Sequence, residues 1–213
     1  MKNILIIVGP SAVGKTTLAT ALLEIDPRFE FVRSVTTRAP RGDSFDNEYI
    51  YISHDEFRHL IDTAGVLEHT EYAGNLYGTP RSEIDRITAA GGVPLLVLDI
   101  NGAVSLSKNK GDISPCSVYV YDDIEVMDER LRLRYGGDES RMASRVKQNR
   151  QDFCAMCDYV GYFYAFSKNS ETVEDGAKRL YGIFRTFENG VCKNEEENLS
   201  VAASLGCSII DKK

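Results

Sequence analysis

Residues Gly9-Pro10-Ser11-Ala12-Val13-Gly14-Lys15-Thr16 follow directly on the apolar run Ile4-Leu5-Ile6-Ile7-Val8. These groups, in this order, suit a polyphosphate. The two glycines let backbone N–H groups converge on anionic oxygens, Lys15 reaches the terminal phosphate pair, and the Thr16 hydroxyl can ligate Mg²⁺. A helix expected from Lys15 to about Glu24, with Thr17 in its first turn, adds the positive end of its dipole at the same point. The stretch therefore reads as a phosphate-binding loop between a buried strand and a helix, and Gly9 to Thr17 are the candidate nucleoside-triphosphate-binding residues.

The rest of the chain limits what such a loop can serve. Its 213 residues, 43% apolar, suit one globular domain with subdomains. A net charge of −7 leaves no broad basic field for nucleic acid, so a polyanionic ligand must be held by locally placed arginines. The apolar start Ile4–Val8 is too short for a membrane span or a signal-peptide core, which argues against a membrane partner and for a cytoplasmic protein. Five cysteines without regular spacing fit a reducing compartment. Cys154 and Cys157 fall on one face of an expected helix and read as small packing residues, not as a redox or zinc pair.

Strands are expected at Lys2–Val8, Val93–Leu98, Ser117–Tyr121 and Tyr162–Phe166, with helical periods between them, which predicts a parallel sheet covered by helices. Ser53 and Glu56 form a capping-box pattern that opens a short helix to about Thr63, and His54 reads as a solvated first-turn residue. Thr172 and Asp175 mark the start of a last core helix to about Phe187. Between the first helix and Val93 lies a stretch too long for a plain crossover, so an inserted subdomain is expected. Arg130 to Arg150 carries six arginines (130, 132, 134, 141, 145 and 150) around Gly136-Gly137 and reads as an irregular, mobile lid. The tail from Glu188 onward suggests no role.

The insert contains Ser34-Val35-Thr36-Thr37-Arg38-Ala39-Pro40-Arg41, Gly42-Asp43, Asn47-Glu48-Tyr49, Leu67-Glu68-His69 and Gly74-Asn75-Leu76-Tyr77-Gly78-Thr79. Leu98-Asp99-Ile100-Asn101-Gly102-Ala103 follows. With the phosphate loop, this succession resembles the guanylate kinase family across roughly residues 2–187. The resemblance implies an α/β P-loop kinase with a parallel core sheet flanked by helices (1–33, 88–129 and 151–187). It adds an inserted GMP-binding subdomain (34–87), an arginine-rich lid (130–150) and an extension of unknown role (188–213). The implied reaction is ATP + GMP giving ADP + GDP with Mg²⁺, with dGMP a further acceptor, in a monomer or homodimer.

By matching positions, Arg38, Arg41, Tyr49 and Tyr77 would hold the GMP phosphate, and Ser34, Glu68, Thr79 and Asp99 would address guanine. Asp99 also has the form of a Mg²⁺-water ligand facing the loop, beside Thr16. Arg130, Arg134 and Arg145 match the lid positions that act with Lys15 in transfer. The chain departs from the family pattern at Val97, where an acidic residue is usual, at Asp43, at Arg141, and at Ser167-Lys168-Asn169-Ser170.

Elementary chemistry supports these roles. Guanine presents two adjacent donors, N1–H and the N2 amine, and an ionised carboxylate offers two acceptors at matching separation, so Glu68 can take both. Adenine has a lone pair at N1 and no N2 amine. A site built for the guanine donors rejects such an analogue by on the order of 10⁴-fold. Arg38 and Arg41 offer planar forks to a phosphate dianion, and tyrosine hydroxyls complete its shell without adding charge. The guanine-edge set argues against another small-molecule kinase on the same scaffold. The intact loop and lid arginines argue against a non-catalytic guanylate-kinase-like interaction domain.

Overall fold

The computed structural model describes residues 1–40, 49–72, 74–136, 138–169 and 172–210. Arg41, Gly42, Asp43, Asn47 and Glu48, part of the resemblance, lie outside the described residues.

The core is a five-stranded sheet of β1 (Lys2–Val8), β2 (Phe29–Phe31), β7 (Val93–Leu98), β8 (Ile113–Tyr121) and β9 (Ala165–Lys168), in the order β2-β7-β1-β8-β9, every neighbouring pair parallel. Ile4 to Val8 are each 0% exposed, which is why β1 reads as an unbroken apolar run and not as an alternation. Helices α1 (Lys15–Ile25) and α7 (Val173–Glu188) pack on each other beside this sheet, and Thr172 caps α7 by accepting from the Asp175 amide.

Chain order reverses at β1, which has β7 on one side and β8 on the other. Ligands of open α/β sheets bind at such a switch point, outside the carboxyl ends of the strands. Here register aligns those ends: Val8 pairs with Leu98, and Tyr121 pairs with Lys168. Gly9, Asp99, Asp122 and Asn169, each the first residue past its strand, therefore gather along one edge.

A second sheet, in the order β4-β3-β6-β5, is built from β3 (Ser34–Thr36), β4 (Tyr49–Tyr51), β5 (Val66–Tyr72) and β6 (Asn75–Pro80). Helix α2 (His54–Asp62) packs against β6 and begins at the expected capping box: Ser53 Oγ accepts from the Glu56 amide, and Glu56 Oε2 accepts from the Ser53 amide at 2.7 Å. His54 is exposed in its first turn. Gly78 allows the contact between this helix and sheet, since a Cβ there would lie 2.9 Å from the Glu68 carbonyl oxygen and 3.1 Å from Phe57 Cζ. Helix α3 (Arg81–Ala89) returns the chain to β7, and α4 (Ile100–Lys108) joins β7 to β8.

Three expectations are corrected. The arginine-rich piece is regular: α5 (Ile124–Tyr135) and α6 (Glu139–Asp158) cover it apart from a short link. The last strand begins at Ala165, because Tyr162 N–H and Phe163 N–H close a 3₁₀ turn onto the carbonyls of Tyr159 and Val160. Cys154 and Cys157 lie on exposed positions of α6 and do not pack as a buried pair. The tail forms α8 (Glu195–Ile210), which packs on α6, and the buried Asn198 donates to the carbonyls of Phe163 and Tyr164. Among the described residues no helix is long and apolar enough to cross a membrane.

Candidate active site

The loop after β1 takes a shape that its glycines permit. Gly9 has φ 150°, and a Cβ there would lie 2.2 Å from the Val120 carbonyl oxygen; Gly14, the N-cap of α1, has φ 96°. Ala12 also lies in the left-handed region, at φ 63°, where a Cβ is unfavourable. The amide end of α1 carries no side-chain cap, and its first turn holds no acidic residue. That end of the dipole is thus left to the cleft.

The carbonyls of the loop are held from outside. The Ser11 carbonyl accepts from Asn149 Nδ2 at 3.0 Å, the Ala12 carbonyl from Arg130 Nη1 at 3.4 Å, and the Val13 carbonyl from Asn169 Nδ2 at 2.8 Å. Asn149 Oδ1 in turn accepts from the Ser11 amide at 2.7 Å. Arg130 is fixed by an ion pair with the buried Asp122 at 3.1 Å. A cleft of about 400 Å³ opens over the loop, lined by Ser11, Ala12, Gly14, Lys15, Thr16, Thr17, Arg130, Arg134 and Asn169.

Lys15 Nζ donates to the carbonyls of Gly9 and Pro10 at 2.7 and 2.8 Å. Burial lowers its pKa to about 8; the carboxylates of Asp152 and Asp99 oppose that shift, and Arg134 and Arg145 add to it. The site therefore concentrates cationic groups that repel one another until an anion joins them. Burial, followed by the charge on Asp99, raises the pKa of Asp152 despite its hydrogen bond from Gln148.

A second cleft of about 380 Å³ lies between the small sheet and the end of β7, lined by Ser34, Tyr49, Glu68, His69, Tyr77, Asp99, Asn101 and Gly102 among others. Glu68 is 8% exposed, and its Oε1 accepts from Thr79 Oγ1 at 2.6 Å. Burial raises its pKa, assisted by Asp99 and opposed by Thr79. Gly102 keeps the space between the two carboxylates open, since a Cβ there would lie 3.4 Å from Glu68 Oε2 and 3.3 Å from Asp99 Oδ1. Tyr49 and Tyr77 meet edge to face at 6.0 Å, Arg38 lies over the Tyr49 ring at 5.1 Å, and Arg38 Nη2 donates to Tyr51 Oη at 3.2 Å.

Asp99 stands between the two clefts, because Leu98 pairs with Val8 and Asp99 therefore leaves β7 beside Gly9 at the start of the loop. Its Oδ1 caps α4 by accepting from the Gly102 amide at 2.7 Å, it lines the second cleft, and its charge acts on Lys15 in the first. The sequence candidates thus separate into two adjoining groups, except that Thr79 lies behind Glu68, Arg38 stands beside Tyr49, and Arg145 is an exposed residue of α6. Arg41 lies outside the described residues. Four residues were not anticipated: Asn149, Asp122, Asp152 and Tyr51. Asp122 alone had a signal in the sequence, an aspartate past an apolar run as at Asp99.

The family model described as guanylate kinase matches residues 1–185. A guanylate kinase of Synechocystis sp. is 35% identical over 159 residues, which span 74% of this chain and 82% of that relative. One from Lactobacillus delbrueckii subsp. bulgaricus is 35% identical over 162 residues, 73% of this chain and 77% of the relative. The crystal structure of guanylate kinase from Anaplasma phagocytophilum superimposes with a TM-score of 0.64 at 25% identity, covering 90% of this chain and 89% of that one. The chain belongs to the guanylate kinase family.

Proposed function

We propose that the protein transfers the γ-phosphoryl group of ATP to GMP, giving ADP and GDP, with ATP over the phosphate loop and GMP in the second cleft. The observation that carries this reading is Glu68, buried, held from behind by Thr79 at 2.6 Å and lining a cleft that also holds Asp99, next to the loop. The Thr79 hydroxyl satisfies part of one Glu68 oxygen, and the carboxylate keeps acceptor capacity for guanine N1–H and N2. Ser34 and Asp99 complete the base edge, while Arg38, Arg41, Tyr49 and Tyr77 receive the GMP phosphate.

Lys15, Arg134, Arg145 and Arg130 supply positive charge around the transferring group, and the loop amides with the uncapped end of α1 receive the remaining phosphates. A phosphate oxygen of GMP attacks the γ-phosphorus in line as the bond to the β–γ bridging oxygen breaks, and ADP leaves. Thr16 and Asp99 offer hard oxygen donors and would hold Mg²⁺. Among the described residues no group of three His, Cys, Asp or Glu could hold a metal, which fits an ion that draws most of its shell from phosphates and water. When bound, Mg²⁺ would supply charge neutralisation of the β- and γ-oxygens.

Formation of ADP from ATP and Mg²⁺, assayed in parallel with GMP, AMP, CMP, UMP or no acceptor, tests the proposal. Activity with GMP alone is the expected result, and turnover of another acceptor or of none would overturn it.

A further inference from the structure

We propose that Asn149 is a positioning residue that locks the phosphate loop to the lid helix, so that ATP affinity depends on a side chain that touches no nucleotide. The inference rests on the reading of the loop as an ATP site. Asn149 is 4% exposed, and both ends of its amide engage one residue: Oδ1 accepts from the Ser11 amide at 2.7 Å, and Nδ2 donates to the Ser11 carbonyl at 3.0 Å. A buried amide is costly unless both of its ends are matched, and here the matching partner is the loop itself.

Its place on α6 gives the contact its consequence. Residues 139–148 of this helix include no buried position, and burial begins at Asn149 and continues at Phe153 and Met156. Asn149 is thus where the helix passes from exposed to anchored, and Arg145 stands one turn before it. The charge of Arg145 acts on Lys15, so the lock sets the register between a lid arginine and the loop lysine.

On the loop side, Ser11 precedes Ala12, whose φ of 63° is disfavoured for a residue with a Cβ. Without a hold on the preceding peptide, the loop gains by relaxing out of that conformation, and its N–H groups lose their convergence. Asn149 holds both peptides that flank Ser11, the first by its N–H and the second, which leads into Ala12, by its carbonyl.

The test is a comparison of Asn149→Leu, which keeps the branched shape and removes both hydrogen bonds, with Asn149→Ala and the unaltered protein. ATP and GMP are titrated separately by calorimetry, and KM and kcat are measured with each substrate varied. The expected result is an ATP affinity weaker by about tenfold with KM for ATP rising in step, as for loss of one or two hydrogen bonds. GMP affinity is expected to stay within about twofold. Unchanged ATP affinity overturns the inference, and so does a parallel loss of ATP and GMP affinity, which marks a general structural role. Failure of the unaltered protein to phosphorylate GMP would count against the proposed reaction, whereas the ATP titrations decide the role of Asn149 on their own.

Discussion

The Thr79 hydroxyl donates to Glu68 Oε1 at 2.6 Å, and both residues are buried. That one bond orients the carboxylate and leaves the Glu68 charge under-solvated, which is the condition for discriminating a base by its donors. Replacing Glu68 by Gln keeps the acceptor for Thr79 and turns the other oxygen into an NH₂ that meets a guanine donor. GMP affinity in Glu68→Gln is expected to fall by about a hundredfold or more, with ATP affinity unchanged. Equal GMP titration curves for the two proteins would refute the base-recognition role.

The same substitution should stabilise the fold. Burial raises the Glu68 pKa above its unfolded value, so the folded state carries a penalty at any pH above that raised pKa, and the penalty fades as pH falls through it. The amide carries no such penalty. Glu68→Gln should therefore melt at a higher temperature than the unaltered protein at pH 7, and the gap should narrow on acidification. A lower melting point at neutral pH would show that the carboxylate is better compensated than its surroundings indicate.

Lys15 carries a prediction of the opposite sign. Its folded pKa of about 8 lies below the ordinary lysine value of 10.5, so the unfolded state binds more protons between those values and stability rises with pH across that window. Up to about 3 kcal/mol of destabilisation is present below pH 8 and is lost by pH 10.5. A bound polyphosphate favours the ammonium, so ATP must restore the proton that alkaline solution removes. Calorimetry at pH 9 should show proton uptake on ATP binding and an affinity roughly tenfold below that at pH 7, with no such trend for GMP. In Lys15→Met the uptake should vanish, transfer should be abolished and the fold should be more stable at pH 7. Wild-type turnover by this variant would refute the loop assignment.

Local signals made the loop, β1 and two helix starts legible, because each rests on neighbours in the chain. Val8-Gly9, Ser53 with Glu56, and Thr172 with Asp175 are all satisfied within a few residues. The first half of α6 is hard to read for a physical reason: residues 139–148 have no buried position, so the sequence shows arginines there and no core-facing stripe. The clamp of Asn149 on Ser11 spans 138 residues, and no periodicity reports a contact of that range. The sequence offers Thr79 as a guanine contact and does not show it as the residue that holds Glu68, since β5 and β6 bring the two together across a hairpin.

Ala12 offers a test of the strain in the loop. At φ 63° an alanine costs on the order of 1–2 kcal/mol relative to its preferred regions, whereas glycine adopts the angle freely and loses part of that gain to unfolded-state entropy. Ala12→Gly is expected to raise stability by about 0.5–1 kcal/mol, read from the urea midpoint, with ATP affinity little changed. Destabilisation by the glycine would mean that the left-handed turn is not strained.

Arg145 separates transfer from binding and folding. It is exposed on the half of α6 that precedes the anchor at Asn149, yet its charge acts on Lys15 and on Asp152. An exposed arginine contributes little to stability, so Arg145→Ala should shift the unfolding free energy by less than about 0.5 kcal/mol. An arginine whose charge meets the transferring phosphoryl group is worth on the order of 10³-fold or more in turnover. The expected signature is therefore a collapse of kcat with KM for GMP nearly unchanged and the melting curve superimposable on that of the unaltered protein. A kcat within about threefold of normal would remove Arg145 from the reaction and leave Arg134 and Arg130, which line the loop cleft, as the arginines that act there.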